Sequence, residues 1–113
     1  YLHDIGIKNA EEKYGSAKAE HQHVEGPPVA RKILQDLGAR EALIDEVCDI
    51  ISHHHHPRDS ETRNFKVVYD ADMLANMDAC QGKEQIEADI LARKIDSRYL
   101  TDAGKELARQ TLM

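Results

Sequence analysis

The chain has 113 residues, 41% of them hydrophobic and 32% charged, a balance that suits one folded domain and excludes a wholly disordered segment. A formal net charge of −6 argues against a polymeric nucleic-acid partner, and four Tyr and one Phe without Trp form no stacking platform for single strands. Cys48 and Cys80 are far apart and outside any CxxC pattern, which points to a reducing, cytoplasmic setting, and no stretch approaches a membrane span.

Taken in order, residues 1–5 read as the last turn of a helix that begins upstream, with Gly6 as its left-handed cap. Leu2, Ile5 and Ile7 look like buried positions, so the chain is read as lacking its natural N-terminus, with a truncated first helix. Residues 8–25 are polar, contain Gly15 and offer little to a core; they are expected to form a loop or lid. Gly26-Pro27-Pro28 then punctuates, and a helix over 29–37 places Val29, Ile33, Leu34 and Leu37 on one face before Gly38.

Residues 39–52 carry the clearest helical pattern, with Leu43, Val47 and Ile50 in one stripe and Ile44, Cys48 and Ile51 beside it. After Pro57 a short charged loop leads into a helix over 65–79, apolar on most sides and so expected to be deeply buried, which Gly82 ends. Ile86, Ile90, Leu91 and Ile95 mark a further helix. Thr101 is placed to N-cap a last one, in which Leu107 and Leu112 face inward. Residues 83–113 thus complete the fold, with a homo-oligomer contact as their second use, and Cys80 reads as a buried small residue at a helix end. The expectation is a single all-α domain over 1–113, a compact bundle of five or six helices.

Two features resist explanation by packing. His3-Asp4 offers a borderline nitrogen and a hard oxygen at adjacent positions, able to reach one ion; the simpler alternative is a local pair fastening a helix end. Asp70-Ala71-Asp72 interrupts an apolar helix, and a buried carboxylate must meet a cation, a metal or strong donors. The helical stripes leave Asp70 and Asp72 undecided, and a cap on a neighbouring helix is the structural alternative. The run His53 to His56 ends the helix over 39–52. Extending its stripes turns His54 and His55 inward and His53 and His56 toward solvent, against the alternative of four solvated histidines favoured by the helix dipole.

The strings LHDIG, IISHHHHP and YDADML, in this order on helices, resemble the H…HD…D pattern of HD-domain metal-dependent phosphohydrolases. The resemblance covers residues 1–77 or so. It implies a divalent ion (Mn, Fe, Co, Ni or Mg) held by His3, Asp4 and Asp72, with Asp72 preferred over Asp70 because the family's last ligand is the Asp of an Ala-Asp-x-(large apolar) string, here Ala71-Asp72-Met73-Leu74. His54 and His55 would hold a second ion or donate to phosphate, and Asp4 would orient the attacking water. Lys8, with Arg58 or Arg63, would neutralise phosphate charge.

The family's first histidine lies a few dozen residues before the HD pair, a position with no counterpart here. His21 and His23, ahead of Gly26, are read as lid residues more than ligands. The implied activity is hydrolysis of a small phosphorylated compound, such as a nucleotide, by metal-activated water. A non-catalytic HD-type module that senses metal or nucleotide is the competing reading.

Overall fold

In a computed structural model, residues 1–16, 18–81 and 87–113 are described, and among them the chain is all-helical, as expected. The helices are α1 (Ile7–Tyr14), α2 (Ala19–Asp36), α3 (Glu41–His53), α4 (Arg63–Gln81), α5 (Ala88–Arg98) and α6 (Asp102–Leu112). They fall into two compact units, Tyr1–Pro57 and Arg58–Met113. Gly82, Ile86 and the side chain of Cys80 lie outside the described residues.

The first unit corrects the reading of residues 8–25 as a loop or lid. α1 covers most of their first half, and α2 starts at Ala19 and runs through Pro27 and Pro28 without stopping. Proline inside a helix removes a donor and crowds the preceding turn. Packing outweighs that cost here, because Gln22, Gly26 and Ala30, four residues apart, form one buried stripe. Two of the three are small, which lets α1 and α3 pack closely on α2. Cys48 of α3, buried and free, directs its thiol to the Pro27 carbonyl at 3.5 Å, and burial pushes that thiol's pKa up.

Gly38, with φ of 76°, turns the chain between α2 and α3. Its N–H donates to Gln35 and that of Ala39 to Leu34, which satisfies these two carbonyls in the last turn of α2. The expected face of α2 holds only in part: Ile33 and Leu34 are half-buried, whereas Leu37 beside the turn is exposed. On α3, the stripe of Ile44, Cys48 and Ile51 is buried together with Ile50, and Leu43 is exposed. The Arg31 guanidinium spans α2 and α3, donating to Glu41 at 2.7 Å and Asp45 at 2.8 Å.

The second unit has its own core of Leu91, Ile95, Tyr99, Ala108 and Leu112, against which Met73, Leu74 and Met77 of α4 pack. Helix α4 is therefore one-sided, and Val67 on it is exposed, contrary to the expectation of deep burial. Thr101 does cap α6, its hydroxyl accepting from the Gly104 N–H at 2.9 Å. Leu112 faces inward as expected, but Leu107 faces solvent, because Ala108 occupies the buried line one residue on.

Candidate metal centre

His3 and Asp4 sit in a turn that leads into α1, with the Ile5 N–H donating to Leu2 and the Ile7 N–H to Asp4, both at 3.1 Å. Gly6 is not a left-handed cap: its φ is −79° and it is the N-cap residue of α1. What demands glycine there is space, since a Cβ would lie 2.6 Å from the Gln22 carbonyl oxygen and 2.7 Å from the Gly26 nitrogen, both backbone atoms of α2. The turn bearing the His-Asp pair thus rests directly on the α2 backbone.

The Asp4 carboxylate faces an imidazole on each side. One oxygen lies 3.2 Å from His3 Nε2 and the other 3.4 Å from His54 Nε2. The two rings meet edge to face, their centroids 5.4 Å apart. His54 ends α3 and is 1% exposed. Its Nδ1 lies 3.0 Å from the Ile51 carbonyl oxygen, an acceptor only, so Nδ1 carries a proton and donates. In the neutral ring the lone pair is then on Nε2, which is buried and makes no hydrogen bond to a described residue despite its nearness to Asp4. A nitrogen lone pair facing a carboxylate oxygen repels it unless a proton or a cation stands between them.

His23, in the first half of α2, brings a third imidazole. Its ring centroid is 5.0 Å from that of His54 and 5.3 Å from that of His55, and the His54 and His55 rings are 4.0 Å apart. Each of these three residues has a ring nitrogen within 4.8 Å of the other two, a spacing that one ion can bridge. His23 Nε2 is buried and makes no hydrogen bond to a described residue. Burial, with His54, His55, His56 and His53 close by, lowers the pKa of His23 to about 4, so at neutral pH this ring keeps its lone pair.

The remaining candidates separate by contact. His53 turns back on its own helix, with Nδ1 donating to the Asp49 carbonyl at 2.7 Å, and is half-buried. His56 is exposed, with its ring 5.6 Å from that of His23. His21 packs on Tyr14 at 4.2 Å and reaches Glu20 at 3.4 Å. Lys8 is exposed in the first turn of α1.

In the second unit, the Arg58 N–H donates to Glu61 at 2.9 Å, and Arg63 is exposed at the start of α4. Asp72 is half-buried on α4 and accepts from Asn76 at 3.4 Å. Asp70 is 4% exposed and accepts from the Leu100 N–H at 2.8 Å, the Thr101 N–H at 2.9 Å and the Thr101 hydroxyl at 2.6 Å.

The local pattern hides His23, because residues 8–25 read as a loop or lid and only a helix continuing through the prolines turns His23 inward. The available signal was the Gln22, Gly26, Ala30 spacing, beside which His23 lies.

A family model described as HD domain matches residues 1–77. The chain belongs to the HD domain family. HD domains are generally metal-dependent phosphohydrolases and typically bind divalent metals. The matched span includes the His3-Asp4 pair, the histidine run and both Asp70 and Asp72. A search of the curated proteins and a search of the solved structures each returned no match.

The donor set fits a divalent metal ion. Two buried imidazole nitrogens that make no hydrogen bond to a described residue converge with a third ring, and one of them faces the Asp4 carboxylate. Among the described residues no helix is long and apolar enough to cross a membrane.

Proposed function

We propose that the chain hydrolyses a small phosphorylated compound, such as a nucleotide or another phosphate ester, with a divalent metal ion. The observation that supports this most is the Asp4 carboxylate between His3 Nε2 and a His54 Nε2 that makes no hydrogen bond to a described residue. His3, Asp4, His23, His54 and His55 would hold the metal, and the family pattern assigns Asp72 the last ligand position. A bound ion supplies Lewis acidity toward a phosphoryl oxygen and acidifies a coordinated water.

The protein's own groups do the rest. Asp4, half-exposed, has an oxygen with which to accept a water proton and orient that water toward phosphorus. Ile51 holds His54 in the tautomer that leaves Nε2 available. Lys8 and Arg58 supply positive charge for the phosphate, and the net charge of −6 disfavours a polyanionic substrate.

The test is elemental analysis of protein purified without nickel resin, followed by a screen of nucleotides and other phosphomonoesters and diesters with added Mn²⁺ or Co²⁺. About one or two ions per chain and a metal-dependent turnover are expected. A metal-free protein that gains no activity from either ion overturns the reading. Stoichiometric metal without hydrolysis would identify a sensor module instead.

A further inference from the structure

We propose that Gly26 is a positioning residue for His54 and acts through Ile51. The proposal takes its functional meaning from the metal-centre reading, whereas the geometry it describes is a packing contact between α2 and α3.

A glycine in the interior of an 18-residue helix loses stability relative to alanine, so its presence at position 26 asks for a compensating reason. Conformation is not that reason, because the positive-φ glycines among the described residues are Gly15 and Gly38. Space is. A Cβ on Gly26 would stand 2.6 Å from Ile51 Cγ2, and its next neighbours, Gly6 N and Cα, are at ordinary distances of 3.7 and 3.9 Å. One methyl group of one side chain therefore sets the limit.

Ile51 cannot yield cheaply. It is 2% exposed, and being β-branched it has a stiff χ1 within α3. Pushing the side chain moves its backbone, and the Ile51 carbonyl accepts the His54 Nδ1 proton at 3.0 Å. That bond decides which ring nitrogen keeps the lone pair and where His54 Nε2 points. The absent methyl at position 26 is thereby connected to the nitrogen that faces Asp4. Gly6 offers no such handle, because a Cβ there would meet main-chain atoms of Gln22 and Gly26 that no side-chain exchange relieves. The Ile51 contact can be relieved, and this makes the proposal testable.

The experiment uses the full chain, metal-free, at mildly alkaline pH, with histidine ring nitrogens observed by long-range proton–nitrogen NMR. Wild type should show His54 as the Nδ1–H tautomer. Gly26→Ala should lose that signature and bind Co²⁺ about tenfold more weakly, the scale of losing an outer-shell partner. Gly26→Ala/Ile51→Leu removes the colliding Cγ2 at constant volume and should recover both, with Ile51→Leu alone as the control.

A Gly26→Ala protein with the wild-type tautomer and Co²⁺ affinity overturns the proposal, and so does a double variant that folds without recovering the tautomer. If Gly26→Ala does not fold, the double variant decides: folding with the wild-type signature supports the proposal, and failure to fold overturns it. Co²⁺ binding by wild type is a separate reading. Should wild type bind none while the tautomer follows the stated pattern, the metal-centre assignment falls and the positioning of His54 by Gly26 stands.

Discussion

Asp70 and Asp72 are two residues apart on α4, and their surroundings divide them. Asp70 receives three hydrogen bonds from Leu100 and Thr101, and its buried charge is thereby compensated. Replacing it with alanine leaves those donors unsatisfied and should lower unfolding stability in urea by about 3 kcal/mol. Asp72→Ala, at a half-buried position, should cost less than about 1 kcal/mol and still abolish phosphohydrolase activity. Activity that survives Asp72→Ala would remove Asp72 from the ligand set. The same contrast holds in the histidine run. His54→Ala should strip metal from the purified protein by elemental analysis, whereas His53→Ala, at a residue bound back to Asp49, should leave the metal content unchanged.

At the scale of elements, α1 and α2 are held together by the Gly6 contact and by Lys13 and Glu25, whose side chains lie 3.0 Å apart. The neighbouring Glu25 carboxylate raises the pKa of Lys13 above its ordinary value. A raised lysine binds its proton more tightly in the folded state, so its contribution is complete below about pH 10.4 and is lost as pH rises through the folded value. The stability difference between wild type and Glu25→Gln should therefore be constant from neutral pH to about pH 10 and shrink above that, a trend measurable by urea unfolding. At the other end of the chain, Thr101→Ala removes the cap on α6 and should cost about 1 kcal/mol. Thr101 also donates to Asp70, so the two substitutions should be less than additive.

For the molecule as a whole, metal bound only by the folded state adds stability by mass action. Mn²⁺ or Co²⁺ at about one hundred times its dissociation constant should add about 2.7 kcal/mol, and a chelator should reverse the gain. His54→Ala should abolish the metal-dependent shift in the melting midpoint. A shift of wild-type size in that variant would place the ion elsewhere. Imidazole ligands must be neutral to bind, and the low pKa of His23 keeps that ring neutral far below physiological pH.

Much of this protein was legible in the chain. Apolar spacing determined the all-α class and the α3 stripe of Ile44, Cys48 and Ile51, and residue chemistry determined the Thr101 cap, because these depend on residues within a few positions of one another. Motif order pointed to the HD family through His3-Asp4, the histidine run and the aspartate pair. Tertiary structure decided what local rules could not. It carried α2 through Pro27 and Pro28, since burial of Gln22, Gly26 and Ala30 outweighs a local helix break, and so turned His23 from a lid residue into a neighbour of His54. It engaged Asp70 with the start of α6, a contact about thirty residues away in sequence that no helical stripe foretells. It also gave Gly6 and Gly26 their meaning: sequence marks a glycine as a place where the chain can turn, but only packing shows where a missing side chain lets another segment approach.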